Sequence, residues 1–488
     1  MLMRDRPSTA PRADHLDALR GIAVLMMVFS GLVPRRPPLP AWMYHAQIAP
    51  PDFVFDPLLP GLTWVDWVFP LFLFAMGVSI PMALSRRLDR ALADDLPFAY
   101  PRVITGIVRR WLELSAFAIV LQHFRPNHLT AKMTPQIWLL CLLGFGLLTL
   151  VYVRWPQGWD WKCKAIGWSA IAILMAILPF RDEAGFDLAR QDVILMLLAV
   201  SSLFGSLLWL ITRSRRSWRL GALALLLALR LSATADGWAA AVWNGSPVPW
   251  LFRVEYLQYL FVIVPGTIAG DFLLRYRRSQ CDVLEDAPTL SMSRWRWLAI
   301  AKLLGLAMLV LLVGLQGRWL VATTLLASVV VGLVLLLLPS ESIATPREQF
   351  RRSLTRWGAY WLALGLCLEP FQGGIQKDPP TLSYFFITTA MSMFLWVGLA
   401  IALEDFAERF GTRRWLGLAI GSGRNPMVAY VAYANLLLPV LSLTKIHPLL
   451  VKLTQAPTLA IGRGLIYTLL VGAISVLLLR LAIVWRTG

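Results

Sequence analysis

The chain has 488 residues, of which 58% are hydrophobic and only 15% are charged. This composition is too apolar for a soluble protein of this length, so we expect a polytopic membrane protein. A net charge of +18 is compatible with nucleic-acid binding, but the charges are distributed as in a membrane protein.

Fourteen apolar segments are each close to the roughly twenty residues that cross about 30 Å of hydrocarbon. They are residues 17–33, 62–84, 103–122, 136–153, 165–180, 192–212, 217–235, 254–274, 296–314, 318–338, 355–369, 382–403, 425–442 and 460–484. The segments at 165–180 and 355–369 are short enough to be re-entrant, so fourteen is an upper estimate. We predict an all-α polytopic membrane protein, a single-domain bundle of roughly 10–14 transmembrane helices with a central cavity.

The Lys and Arg residues are divided unequally between the two sides that these segments define. One side carries 31 of the 46 cations and the other carries 12, while Arg230, Lys302 and Arg424 lie within or beside segments. By the positive-inside rule the richer side is cytoplasmic, and both termini lie there. The positive charge is thus explained by topology without a nucleic-acid partner, and anionic membrane lipids are its natural additional partner.

The four cysteines, Cys141, Cys163, Cys281 and Cys367, are scattered without a close pair. This spacing indicates neither a disulfide framework nor a metal site, and we expect no metal cofactor.

His45 lies in the first outer loop, about twenty residues before a carboxylate, Asp66, at the start of a long apolar helix. An imidazole at the membrane surface beside a carboxylate just inside the hydrocarbon is a costly arrangement, so the pair is a candidate proton-transfer site. Pro70 removes the amide that would bond the Asp66 carbonyl, so we expect a kink and a free backbone acceptor there. A surface-loop histidine and an interfacial helix-end carboxylate are the alternatives.

Two features on the cytoplasmic side are candidates for anion binding. Asp17 and Arg20 share one face at the entry of the first segment, where the guanidinium can clamp a phosphate. The run from Gly421 to Pro426 contains Arg424 and Asn425 and opens a later helix, a position suited to anions. An interfacial ion pair and a simple helix-entry turn are the respective alternatives.

The outer loop from Glu369 to Pro379 concentrates polar groups, glycines and prolines. Such loops form binding surfaces, and Glu369 and Lys377 are the candidate substrate-binding residues. An ordinary turn is the alternative.

Several of these motifs resemble one known family in order and spacing. The stretches Leu16–Ala23, Tyr44–Ala46 and Gly61–Gly77 are similar to the opening of heparan-α-glucosaminide N-acetyltransferase and its bacterial relatives. Residues 375–384 and 423–430 are similar to that family's closing motifs. The resemblance is strong over the first 85 residues, and between these regions it is little more than hydropathy.

The resemblance implies a transmembrane acyltransferase in the bacterial cytoplasmic membrane that uses cytoplasmic acetyl-CoA as co-substrate. It implies an amino-sugar or glycan acceptor on the outer side, with His45 as the active histidine and Asp66 as its helix carboxylate. Asp17 and Arg20 match the family's first-span pair. The acceptor, the acyl length, and whether the chain forms a homodimer stay open.

A transporter or flippase for a glycan or small polar solute is the competing function. Its coupling or substrate groups would be Asp66, Glu369, Lys377 and Arg230, because ionisable residues within a helix bundle mark transport pathways.

Overall fold

The computed structural model describes residues 13–36, 38–93, 98–130, 132–181, 183, 185–282, 292–341 and 344–487. Within these ranges the protein is α-helical and contains no named strand, which confirms the predicted all-α polytopic architecture. Residues 1–12, which hold the predicted cytoplasmic N-terminus, lie outside the described ranges.

The helices follow the predicted apolar segments in order. The first ten are α1 (Asp14–Ser30), α2 (Trp64–Ala93), α3 (Ala99–His123), α4 (Pro126–Leu129), α5 (Pro135–Tyr152), α6 (Asp160–Ile177), α7 (Val193–Ile211), α8 (Arg216–Ser232), α9 (Trp238–Trp243) and α10 (Leu260–Asp282). The other ten are α11 (Arg294–Gln316), α12 (Leu320–Leu337), α13 (Pro346–Leu368), α14 (Leu382–Asp405), α15 (Thr412–Trp415), α16 (Gly417–Arg424), α17 (Pro426–Ala432), α18 (Leu438–Leu443), α19 (Ile446–Leu453) and α20 (Pro457–Arg480). Short 3-10 turns cover Ala41–Met43, Val254–Tyr259 and Glu369–Gln372, and a π-helical turn at Tyr433–Leu437 joins α17 to α18.

Nine helices of the described ranges are long and apolar enough to cross a membrane. The other predicted segments also coincide with helices, but α1 and α8 have only 17 residues each. Three more, α3, α6 and α13, carry several charged residues. Nine is fewer than the predicted 10–14, because these five helices are either too short or too charged to be counted.

The segment predicted at 355–369 is longer in the structure than its apolar run. Helix α13 has 23 residues and begins with a capping box, in which the Thr345 hydroxyl accepts from the Glu348 amide and the Glu348 carboxylate accepts from the Thr345 amide. At 1.5 Å per residue this helix is about 34 Å long, enough to span the bilayer. Because the first half of α13 is charged, the hydropathy pattern did not reveal the full length of this helix.

Glycines bring two helix pairs into close contact. A Cβ on Gly21 of α1 would lie 1.7 Å from the Ala419 carbonyl oxygen, and one on Gly423 of α16 would lie 1.8 Å from that of Asp17. On α10, the small-residue pair Gly266 and Gly270 packs against the α2 backbone, as expected for such a pair. Backbone contact at these points fixes α1 and α2 against their neighbours.

We expect Gly423→Ala to destabilise the protein by about 1–3 kcal/mol or more, because the added methyl group must displace the α1 backbone. The matched control is Gly462→Ala in α20, where an added Cβ meets nothing within 4 Å. Thermal unfolding of both variants in detergent measures the difference. Equal unfolding midpoints for the two would contradict the close packing of α1 on α16.

Candidate functional site

His45 and Asp66 are in direct contact at the start of α2. His45 Nδ1 lies 2.7 Å from Asp66 Oδ1. The imidazole is 35% exposed, whereas the carboxylate is almost fully buried. An imidazole that donates through Nδ1 to a carboxylate keeps its lone pair on Nε2. The predicted pairing of these two residues is therefore present in the structure.

The second oxygen of the Asp66 carboxylate is held by the backbone on both sides of the site. Asp66 Oδ2 accepts from the amides of Ala46 and Thr63, each at 3.1 Å. The Thr63 hydroxyl is also within hydrogen-bond distance, at 2.9 Å. A carboxylate three residues into a helix that accepts from the preceding amide is one half of a capping box. Asp66 thus caps α2 and fixes the histidine loop with the same side chain.

Pro70 frees the Asp66 carbonyl as predicted, and the structure supplies its partner. The buried Tyr384 hydroxyl of α14 donates to this carbonyl oxygen at 2.8 Å. A backbone acceptor that the proline would leave unpaired at membrane depth is therefore satisfied by another helix.

Lys377 is the third group at the site, and it comes from the outer loop between α13 and α14. Its Nζ atom lies 3.1 Å from His45 Nδ1 and 3.4 Å from His45 Nε2. Burial lowers the pKa of Lys377, and the negative charges of Asp66 and Asp378 act in the opposite direction. The site therefore combines a carboxylate, an imidazole and an amine of reduced basicity.

The two outer loops are joined by reciprocal hydrogen bonds. The Gln47 side chain donates to the Asp378 carbonyl at 2.6 Å and accepts from the Asp378 amide at 2.9 Å. The Gly61 amide donates to the Ile375 carbonyl at 2.8 Å. These bonds keep Lys377 beside His45, and Gln47 is a positioning residue that the sequence did not indicate.

Glu369, the other predicted substrate-binding residue, makes its contacts within the protein. Its buried carboxylate lies 2.6 Å from Arg318 Nη1 and accepts from the Ile375 amide at 3.2 Å. It therefore organises the loop that carries Lys377. Arg230, a group of the transporter alternative, donates to the Pro380 carbonyl of the same loop.

A cavity of about 460 Å³ lies between α1, α2, α3, α7, α17 and the C-terminal segment. Five guanidinium groups line it, and all five belong to the cytoplasmic set of charges: Arg20, Arg87, Arg110, Arg154 and Arg486. Its other walls are largely apolar and include Met27, Phe72 and Leu198. Within the described ranges no carboxylate lines this cavity.

Two of these arginines have unused hydrogen-bonding capacity. The buried Nε atoms of Arg20 and Arg110 make no hydrogen bond to any residue that the structure describes. Arg87 and Arg20 are also close enough to Arg110 to repel its charge. A converging set of cations with unpaired donors is suited to a polyanionic ligand.

The residues predicted to bind the cofactor separate into two groups. Arg20 lines the cavity, bonds to the Gly423 carbonyl and pairs with Asp17 at 3.1 Å. Arg424 pairs with Asp14 and Asp17 at 2.7 and 3.3 Å. Asn425 is fully buried and holds the C-terminal segment through the Ile483 carbonyl and the Trp485 amide. Among the described residues Arg20 alone of the four predicted ones lines the cavity, and the other three support it.

Four of the cavity's arginines were not among the predicted site residues: Arg87, Arg110, Arg154 and Arg486. Arg110 stood within the predicted 103–122 segment, where a cation inside an apolar run was a usable signal. Arg486 reaches the cavity because Trp485 is buried against Phe117 and Phe145. No local sequence pattern predicts that the C-terminal segment packs back against α3 and α5.

The cavity and the histidine site share helix α2. Phe72 lines the cavity six residues after Asp66, a rise of about 9 Å along the helix axis. His45 and Asp66 are not themselves part of the cavity wall in the described structure. Among the described residues there is no cluster of three His, Cys, Asp or Glu side chains that could hold a metal ion.

Residues 12–273 match the model of the family described as a domain of unknown function (DUF5009). The chain belongs to this family. The matched range contains His45, Asp66, Arg20 and Arg110, whereas Lys377 lies beyond it. A comparison with curated proteins gives no match.

We expect Tyr384→Phe to lower the free energy of unfolding by about 1–3 kcal/mol, because the Asp66 carbonyl loses its buried donor. The control is Tyr360→Phe in α13, whose ring is half-exposed. Thermal unfolding in detergent compares the two variants with the wild type. A Tyr384→Phe variant as stable as the control would show that the carbonyl does not depend on this hydroxyl.

Proposed function

We propose that the protein is a membrane acyltransferase that moves an acetyl group from cytoplasmic acetyl-CoA to a sugar on the outer side of the bacterial cytoplasmic membrane. The acceptor atom is an amino nitrogen or a hydroxyl oxygen of an amino sugar or glycan. The observation that carries this proposal is that α2 presents Asp66 to His45 and, about 9 Å further along, lines an arginine-rich cavity. The resemblance to heparan-α-glucosaminide N-acetyltransferases supports the same assignment.

The cavity has the chemistry that a coenzyme A thioester requires. Guanidinium groups bind phosphate oxygens in a bidentate manner, and the cytoplasmic end of the cavity provides five of them. The apolar walls formed by Met27 and Phe72 suit the long arm that carries the thioester. In this proposal the arm extends from the arginines toward the outer end of α2.

His45 Nε2 is the proposed reacting atom. In direct transfer it takes the proton of the attacking amine or hydroxyl while the new bond forms to the thioester carbon. The carbon–sulfur bond then breaks, and coenzyme A leaves as the thiol with that proton. Alternatively Nε2 attacks the thioester carbon first, the carbon–sulfur bond breaks and coenzyme A leaves as the thiolate. The acceptor then attacks the acetyl carbon and releases Nε2, and its proton goes to the thiolate. Asp66 fixes the tautomer in both routes, and Lys377 is placed to stabilise the negative oxygen of the tetrahedral intermediate.

The transporter alternative makes a different prediction about the donor. An acyltransferase is thermally stabilised by acetyl-CoA and releases free coenzyme A in the presence of an acceptor. A carrier does neither and shows counterflow of its solute. Mass spectrometry of the purified protein for bound coenzyme A species separates the two functions directly.

We expect His45→Ala to reduce acetyl transfer by at least about 10²- to 10⁴-fold, the usual contribution of general-base catalysis. Its stabilisation by acetyl-CoA should be unchanged, because the ring is not part of the cavity wall in the described structure. The control is His447→Ala on α19, whose imidazole contacts Tyr467. Coenzyme A release measures transfer, and a wild-type rate in His45→Ala would reject the assignment of this residue.

We expect Arg110→Gln to weaken acetyl-CoA binding about tenfold or more, because a hydrogen bond to a charged group contributes about 1.5–3 kcal/mol. The control is Arg414→Gln on the exposed helix α15. Isothermal calorimetry in detergent gives the dissociation constants. Equal constants for the two variants would place the donor outside this cavity.

A further inference from the structure

A second, smaller pocket of about 170 Å³ adjoins the cytoplasmic end of the large cavity. Arg154 and Arg486 line both spaces, so the two pockets are neighbours on either side of these side chains. Two more cations, Arg109 and Lys164, line only the small pocket. An anion held by Arg154 and Arg486 in the large cavity therefore lies beside the small pocket.

The charges of the small pocket are only partly compensated. Arg109 pairs with Glu113 at 2.8 Å, and Lys164 pairs with Asp160 at 2.7 Å. Four cations, Arg154 and Arg486 included, thus line this wall against one carboxylate in the described structure, Glu113. The pocket is thus a net cationic site that can accept a dianion.

The pocket is held in place by the return of the C-terminal segment. The Arg486 amide donates to the Tyr152 carbonyl at 2.9 Å, and the Tyr152 hydroxyl donates to the Glu113 carbonyl at 2.8 Å. Trp168 completes the wall, with its ring 6.4 Å from that of Tyr152. Four separate parts of the chain therefore converge to build it.

We infer that this pocket binds the phosphomonoester of the donor, the 3′-phosphate at the adenosine end of coenzyme A. The inference rests on the proposed function, which assigns coenzyme A to the large cavity. A phosphomonoester carries roughly −1.5 to −2 charges and three acceptor oxygens, which match the excess cations of the small pocket. The flat face of Trp168 can stack on the adjoining base. The diphosphate then lies at the shared arginines.

The direct test compares coenzyme A with 3′-dephospho-coenzyme A on the purified full-length protein. We expect the wild type to bind coenzyme A about tenfold or more tightly, because several charge-assisted hydrogen bonds depend on the 3′-phosphate. Lys164→Gln should weaken coenzyme A binding several-fold and leave the dephospho compound unchanged. The control is Lys162→Gln on the same helix, since the Lys162 ammonium lies over Trp159 and Trp161 and does not line the pocket.

Each contrary result has a separate meaning. Equal binding of both compounds to the wild type would overturn the inference and leave the proposed donor intact. If Lys164→Gln weakened the binding of both compounds equally, the inference would also be overturned, because the lysine would not be contacting the 3′-phosphate. Failure of both compounds to bind the wild type would reject the donor itself, and with it the proposed function.

Discussion

The carboxylate of Asp66 is the group on which the arrangement of the outer site depends. One oxygen bonds to the His45 ring and the other accepts from two backbone amides. A buried carboxylate is tolerated only when its acceptors are filled, so the histidine loop must close onto the start of α2. The same requirement places Ala46 and Thr63 side by side. The geometry of the His45 site and the capping of α2 therefore depend on the same carboxylate.

Helix α2 connects this interaction to the rest of the molecule. Its backbone packs closely on α10 at Gly77 and Gly266, which leaves little freedom for the helix to shift. Tyr384 holds it from α14 at the proline-freed carbonyl. The His45 site and the cavity are thus held in a fixed relation by a rigid element, as the proposed transfer between two sides of a membrane requires.

The sequence predicted the helices and part of the site, for identifiable reasons. Helix positions followed from apolar length, and the His45–Asp66 pair followed from a carboxylate at the start of an apolar helix near an imidazole. Lys377 was predicted as a substrate-binding residue of the outer loop but not as a neighbour of His45, because that contact joins positions 332 residues apart. Such a contact depends on the packing of α13 and α14 against α2, and no local periodicity encodes it.

The arginines of the cavity show why charge counting could not find the proposed donor site. The positive-inside rule accounts for Arg20, Arg110 and Arg486 equally well, since all three belong to the cytoplasmic set. Topology requires only that such cations stay on one side, where they can spread apart and remain hydrated. Here three separate parts of the chain bring them to one partly apolar cavity, against their mutual repulsion. These arginines lie close together despite their repulsion, and the Nε donors of Arg20 and Arg110 are left unpaired among the described residues. An anionic ligand explains this arrangement better than membrane orientation does.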